Sequence, residues 1–482
     1  MRGVFALAPM QIVQALAGLG AIAVFTRLMS AEEFGHYALA LSVSMLAHTL
    51  LFTWAEAAAF RFLPAARTEG RTAEHFATLW AVSLGLGVTV LCVASAVLAL
   101  VGVDEHLLAL SSFAAGATVF RFYNRIARES DRAALAIGRY AALETVYLTI
   151  GFAAGVAILI QLELGAAAPF AGMLLAGGVV LLLDAPRVAR QTRGGRVSLA
   201  RAGVYAGYGA PLALALAIDL AVQTIARFVL AHQAGAGEVG AYAAAFGLAR
   251  PLDLLFMAAG AALSPLLLCA YETEGGEGLQ RPARHGIVLA AAVAIPAAAG
   301  LTLVAAPLSA LLVGESLSGE TARALPWLAL AGLASGFSLY YLSEAFQLTR
   351  RTGLRALLML APASVQLCLT ALLAGPLGAT GAAVAAAAGA SAGAIVLWLF
   401  GRKLVSLPLP LDELARIGAA TALMAGAVSV LPPQLPLQVV VGVAAYALAA
   451  IGLNVAGLGA HTLAVARSRS HFFAVTERPH AH

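Results

Sequence analysis

The chain has 482 residues, of which 61% are hydrophobic and only 11% are charged, and its formal net charge is +5. A mean hydropathy of +0.90 excludes a soluble globular domain and indicates a polytopic membrane protein. The apolar runs are about 20–25 residues long, the length a helix needs to cross a bilayer, and they lack the strict alternation of barrel strands. The sequence therefore predicts an all-α membrane protein.

Charges, prolines and polar clusters divide the chain into fourteen predicted transmembrane spans. In chain order they cover residues 4–26, 35–58, 77–101, 106–127, 136–160, 167–186, 204–230, 239–268, 286–306, 323–346, 354–374, 378–400, 412–431 and 437–460. No soluble domain follows the first apolar run, which favours a retained span over a cleaved signal peptide. No connecting segment is long enough to fold as a domain, so we expect the function to lie within the membrane or at its surface.

The distribution of basic residues supports this count, because cytoplasmic loops of membrane proteins carry an excess of Lys and Arg. With the N-terminus in the cytoplasm, all but four of the 29 basic residues fall in cytoplasmic segments. The exceptions are Arg27, Arg227, Arg250 and Arg323. An error of one span would invert the bias downstream, so the pattern predicts fourteen spans with both termini cytoplasmic.

A short motif occurs twice and indicates an internal duplication. Residues 33–40 open the second span and residues 238–245 open the eighth, and they agree at a Glu, a Gly, a Tyr and two Ala. Each motif follows an apolar helix that ends near an arginine, Arg27 or Arg227. The repeats lie six helices apart and thus share one orientation, a transporter design with its substrate site at the repeat interface. We predict lobes at residues 1–201 and 202–403, two additional helices at 404–466 and a polar cytoplasmic tail at 467–482.

Several charges lie inside the predicted spans, where each costs at least about 2.5–3.5 kcal/mol on insertion scales. Asp219 in the seventh span and Arg250 in the eighth have similar depth, and Arg250 shares a helix face with Asp253. One interpretation is a cavity cluster in which Arg250 binds an anionic cargo while Asp219 or Asp253 carries a coupling ion. The alternative is a structural ion pair between two helices.

Other charged residues lie nearer the ends of spans. Arg27 and Arg227 close the first helix of each lobe on the outer side, where they either snorkel to headgroups or form a positive ring at a cavity mouth. A stripe along the cytoplasmic end of the fourth span contains Arg121, Arg125, Arg128 and Arg132. Such a stripe is expected from topology alone, but we assign a substrate-binding role to Arg121, the deepest of the four. Glu144 in the fifth span is a further candidate for ion coupling.

The N-terminal pattern Gln11…Gln14…Thr26-Arg27-Leu28…Glu33-Phe34-Gly35-His36-Tyr37 resembles the opening of the bacterial polysaccharide flippases. These form the O-antigen and exopolysaccharide branch of the superfamily that includes the multidrug and toxin extrusion carriers. The segment Gly240-Ala-Tyr242 resembles the start of that family's second lobe. The resemblance implies two six-helix lobes around a central cavity and alternating access.

The same resemblance implies a cargo and partners. The cargo is a polyprenyl-diphosphate-linked oligosaccharide, a polysaccharide repeat unit moved across the bacterial inner membrane. The expected partners are membrane lipids, H⁺ or Na⁺ as the coupling ion, and other polysaccharide assembly proteins. No nucleic acid is expected.

The sequence contains no motif of ATP hydrolysis and no zinc-hydrolase motif. The single lysine, Lys403, does not lie in a Walker A loop, and His-Glu-x-x-His does not occur. We therefore expect a transporter without cofactor or metal, not an enzyme. The alternatives are a drug or cation antiporter of the same superfamily, a non-transporting scaffold, and a membrane glycosyltransferase or polymerase using Glu32 and Glu33 at a metal site. Against the last, Glu238 repeats the position of Glu33, which favours a helix-start role.

Overall fold

The computed structural model describes residues 2–102 and 104–458, and these ranges are helical apart from short connections and contain no β-strand. The α-helices are α1 (Arg2–Leu28), α2 (Ala31–Thr68), α3 (Thr72–Val101), α4 (Glu105–Ala133), α5 (Ile137–Leu162), α6 (Ala168–Thr192), α7 (Leu199–Ala234), α8 (Ala236–Ala249), α9 (Pro251–Gly278), α10 (Gln280–Leu303), α11 (Ala305–Leu312), α12 (Glu315–Phe337), α13 (Glu344–Leu348), α14 (Thr352–Leu358), α15 (Leu360–Gly401), α16 (Leu411–Ser429) and α17 (Leu435–Gly452). A π-helical turn, Ser338–Leu342, joins α12 to α13. The predicted tail 467–482 and the last residues of span 437–460 lie outside the described residues.

The fourteen predicted spans coincide with these helices, which confirms the all-α membrane class. Within the described ranges, ten helical stretches are long and apolar enough to cross a membrane, and the stretch Thr352–Gly401 holds two predicted spans. α4 is not one of the ten, because polar and charged side chains lower its hydropathy.

Two predicted spans contain breaks that the hydropathy pattern does not reveal. Span 239–268 is divided at Arg250, because Pro251 begins α9 and lacks the amide hydrogen that would continue the hydrogen bonding of α8. Spans 354–374 and 378–400 meet at Gly378, whose backbone leaves the helical region with φ 55° and ψ −136°. The chain reverses there, since Gly381 lies against the backbone of Leu373.

The contacts between helices divide the chain into two compact units. Unit 1 comprises Met1–Gly247 and Leu312–Leu317, and unit 2 comprises Leu248–Leu311 and Ser318–His482. The lobe boundary at residues 201 and 202 rests on the repeat and stays a prediction about the duplication. By contacts, α7 and most of α8 group with the first six helices.

Each unit has its own apolar core. In unit 1, the rings of Phe52 in α2 and Phe122 in α4 stack with their centroids 4.2 Å apart, and α2 also packs along α7. In unit 2, fully buried Leu267, Leu279 and Phe346 belong to a core to which α9, α10, α13 and α16 contribute. The packing of α2 against α4 and α7 brings the polar side chains of these three helices close together.

Capping explains where α2 begins and what Glu33 does. The Ser30 hydroxyl accepts a hydrogen bond from Glu33 N at 3.2 Å, and the Glu33 carboxylate accepts one from Ser30 N at 2.8 Å. This reciprocal arrangement is a capping box. Glu33 therefore has the helix-start role that its repetition at Glu238 predicts, and its carboxylate is engaged at the helix terminus.

The two copies of the repeated motif touch each other within unit 1. A Cβ added at Gly35 would clash with the carbonyl oxygen of Ala236, at the start of α8. A Cβ added at Gly240, the equivalent glycine of the second copy, would lie 3.0 Å from the carbonyl oxygen of Ala31, at the start of α2. The two glycines therefore allow the starts of α2 and α8 to approach each other closely.

We expect Gly35→Ala to destabilise the protein by about 1–3 kcal/mol, the usual range for overpacking, because backbone rather than a flexible side chain blocks the added methyl group. Gly85→Ala in α3 is the matched control, since a Cβ there meets nothing within 4 Å. That control should gain up to about 1 kcal/mol from helix propensity. Thermal unfolding in detergent measures both variants, and equal stability of the two would contradict the close contact.

Candidate functional site

A buried carboxylate, Glu56 of α2, joins two helices of unit 1. It accepts a hydrogen bond from Arg125 Nε of α4 at 3.0 Å, and its other oxygen lies 2.8 Å from His48 Nε2. Glu56 and His48 are only 4% and 7% exposed. Phe52 lies between them in the sequence and contacts the edge of the His48 ring. The cluster is thus a carboxylate held between a guanidinium and an imidazole beside the apolar core.

Three of the four arginines in the predicted α4 stripe are neutralised by carboxylates. Besides the Arg125 pair with Glu56, buried Arg128 forms an ion pair with Glu144 of α5, and Arg132 lies 3.1 Å from Glu129. The pairs with Glu56 and Glu144 tie α4 to α2 and α5, whereas Glu129 lies on α4 itself. All three pairs leave these guanidinium groups less available to a lipid headgroup than the stripe alone would indicate.

Two further acids, missed by the sequence analysis, connect α4, α5 and α6. Asp131 is fully buried and pairs with Arg187 and, at 3.4 Å, with Arg139. Arg139 also forms an ion pair with Asp184. Asp131 follows the end of one predicted span and Asp184 lies near the end of another. The signal in the sequence was the position of these two acids among arginines that are predicted to be cytoplasmic.

Arg121 differs from the other arginines of the stripe. It is half-buried, and among the described residues no carboxylate lies within ion-pair distance of its guanidinium. It contributes nonetheless to the electrostatic environment of His48, Glu56, Arg128 and Tyr147. The deepest cation of α4 is therefore positioned beside the polar cluster without a charge partner in the described part of the chain.

Arg227 is a second half-buried cation of unit 1. It donates a hydrogen bond to the Ser42 hydroxyl of α2, and its guanidinium lies 5.8 Å from the ring centroid of Tyr242 and 5.4 Å from that of Phe246. Its Nε is buried and has no acceptor in the described part of the structure. An unsatisfied buried donor is uncommon in folded proteins and calls for an explanation such as a ligand.

The remaining candidates of unit 1 lie in different surroundings. Arg27 is exposed in the last turn of α1 and donates to the carbonyl oxygen of Ala23 at 2.8 Å. Asp219 is exposed on α7. Glu144 forms the ion pair with Arg128, which is consistent with a structural role. A role of Glu144 in ion coupling stays a prediction.

The two candidates of unit 2 flank the start of α9. Arg250 and Asp253 are both exposed, and the described ion pairs do not join them to each other. Asp253 lies instead near Gly332 and Tyr340. Asp219 belongs to unit 1 whereas these two belong to unit 2, and the grouping of all three in one cluster stays a prediction.

The multi-pass all-α fold defines the chain as an integral membrane protein. Within unit 1 it contains the half-buried cations Arg121 and Arg227. Residues 1–268, more than half of the chain, match the family described as polysaccharide biosynthesis protein. The chain belongs to this family, as the N-terminal pattern predicts.

Comparison with solved structures extends the likeness to nearly the whole chain. The chain is similar to "Lipid II flippase MurJ, inward closed conformation" with a TM-score of 0.73 and 12% identity, over 93% of this chain and 98% of that chain. An inward-facing multidrug resistance MATE family transporter of the MOP superfamily gives a TM-score of 0.64 and 18% identity, over 85% and 96%. MATE in the straight conformation gives 0.58 and 19%, over 86% and 96%. These likenesses establish the fold. None of the curated protein sequences matches the chain.

Proposed function

We propose that the protein flips a polyprenyl-diphosphate-linked oligosaccharide across the bacterial inner membrane by alternating access, with both of its termini in the cytoplasm. The observation that carries the proposal is the pair of half-buried arginines in unit 1, Arg121 and Arg227, which have no carboxylate partner in the described part of the chain. A guanidinium presents a fork of donors that matches phosphate oxygens. A diphosphate is therefore a suitable ligand for these side chains.

The other arginines of α4 strengthen this argument by contrast. Arg125, Arg128 and Arg132 each have a carboxylate within reach, so this helix and its neighbours supply acids where a cation is part of the packing. Desolvating a guanidinium without such a partner is costly. Binding an anionic cargo offsets that cost at Arg121, and the same reasoning applies to Arg227.

The relatives point to the same class of cargo. The matched family is described as a polysaccharide biosynthesis protein, and the similar MurJ structure carries the name lipid II flippase. We extend these descriptions to a lipid-linked oligosaccharide as the cargo here. Membrane lipids, a coupling H⁺ or Na⁺ and other polysaccharide assembly proteins are the partners that this function requires.

A drug or cation antiporter is the second candidate, because the fold is also that of multidrug resistance MATE transporters. A cationic cargo requires acids that are not already paired with arginine. In unit 1, Glu56, Glu129 and Glu144 all have arginine partners. The charges of the polar cluster therefore favour an anionic cargo over a cationic one.

Reconstituted protein distinguishes the two functions. Liposomes containing a fluorescent polyprenyl-diphosphate sugar should show translocation that depends on the protein, measured as the fraction of fluorophore accessible to an impermeant quencher. The same liposomes loaded with cationic dyes should release them no faster than protein-free liposomes. Export of the dyes without translocation of the lipid would support the antiporter and overturn the flippase.

A further inference from the structure

One buried acid differs from all others in the described part of the chain. Five carboxylate side chains are buried there: Glu56, Glu129, Asp131, Asp184 and Glu344. The first four, all in unit 1, form ion pairs with arginines. Glu344, in unit 2, has no ion pair with any described residue.

Glu344 is 5% exposed and has neutral partners. The Ser264 hydroxyl of α9 donates a hydrogen bond to its Oε1 at 2.7 Å, and the Gln347 amide approaches the same oxygen at 3.4 Å. The neighbouring Ala345 and Phe346 are buried in the apolar core of unit 2. An ionised carboxylate in such surroundings is strongly disfavoured, and binding a proton removes the charge.

The backbone around Glu344 is irregular. The π-helical turn Ser338–Leu342 ends two residues before it, and such turns are frequently found at functional sites. Tyr341 in this turn is buried and donates a hydrogen bond to the carbonyl oxygen of Pro408 at 2.5 Å. Gln347, one turn beyond Glu344, is exposed, so the proton site lies next to the surface of unit 2.

The helices packed against this turn carry four charged groups near Glu344, and one of them, Arg355, has a buried Nε without an acceptor in the described structure. On α9, Asp253 lies near Tyr340, and Glu272 is exposed two turns beyond Ser264. Arg355 lies on α14. Arg402 follows the end of α15, and its guanidinium lies over the Trp398 ring. None of these groups forms an ion pair with Glu344 in the described structure.

We propose that Glu344 is the proton-binding site through which a pH gradient drives the transporter. The carboxyl group takes up a proton in one state and releases it to water in the other, while Ser264 positions the carboxyl. This inference rests on the proposed transport function and names its coupling site.

The test uses the full chain in liposomes, with the fluorescent polyprenyl-diphosphate sugar as cargo. A gradient of one pH unit supplies a factor of about ten per proton, and we expect the wild-type protein to accumulate cargo up to that factor. Glu344→Gln should lose the accumulation but keep exchange at equal pH. Glu344→Asp, which retains a carboxyl, should keep part of it. Glu320→Gln is the control, because that carboxylate pairs with exposed Arg323 on α12.

Infrared spectroscopy gives a second readout that does not depend on transport. The carbonyl stretch of a protonated carboxyl should appear in the difference between low and high pH, and Glu344→Gln should lack that signal while Glu320→Gln keeps it. If the wild-type protein moves no lipid, the proposed function fails and the infrared signal still decides whether Glu344 binds a proton. Unchanged pH-driven accumulation in Glu344→Gln, an unchanged infrared signal, or a response to Na⁺ gradients alone would overturn the inference.

Discussion

Replacing Arg121 or Arg227 with Gln is expected to slow translocation of a polyprenyl-diphosphate sugar by about ten- to hundredfold. Hydrogen bonds to a charged group contribute about 1.5–3 kcal/mol each, and about 1.4 kcal/mol corresponds to a factor of ten. Arg→Lys at either position should retain part of the activity, because the charge remains while the paired donors are lost. The measurement is the rate of translocation in the liposome assay.

The control for these variants is Arg67→Gln, which removes an exposed arginine from the last turn of α2. Its translocation rate should stay near that of the wild-type protein. Thermal stability provides a second check on Arg121. Since no carboxylate pairs with it in the described structure, Arg121→Gln leaves no buried acid without its partner and should unfold near the wild-type temperature. A wild-type translocation rate in both Arg→Gln variants would remove the main support for an anionic cargo.

The helical spans were predictable because a bilayer imposes a minimum length of apolar sequence and because basic residues bias the loops. The breaks inside spans follow from single residues. Pro251 indicates the division between α8 and α9, whereas the reversal at Gly378 requires a backbone conformation that hydropathy does not record. The capping box at Ser30 and Glu33 is visible as a local pattern.

The polar cluster was much less predictable, because it depends on contacts between residues far apart in the chain. The sequence distinguishes Arg121 by its depth, but the difference between Arg121 and Arg128 arises from whether a neighbouring helix presents an acid. The sequence places Arg227 near the end of a helix, but its contacts with Ser42 and Tyr242 come from the packing of α2, α7 and α8. Charge inside a span indicates that a partner exists without identifying it.

The ion pair between Arg128 and Glu144 separates two roles for Glu144. If the pair is structural, Glu144→Gln leaves Arg128, whose side chain is 5% exposed, as an uncompensated buried charge. Breaking a buried pair in this way typically costs about 3–5 kcal/mol. We expect Glu144→Gln to lose about 3 kcal/mol of unfolding free energy, because the Glu144 side chain is 17% exposed and water relieves part of the cost.

A double variant, Arg128→Met with Glu144→Leu, removes both charges and should recover most of that loss, since apolar side chains of similar size often replace a buried pair without penalty. Denaturation of Arg128→Met, of Glu144→Leu and of the double variant gives the coupling energy between the side chains. A coupling ion at Glu144 predicts a different result: Glu144→Gln would keep wild-type stability and lose only gradient-driven accumulation. Because Arg128 already neutralises Glu144, we expect the stability loss, which would leave the coupling role to an acid without an arginine partner.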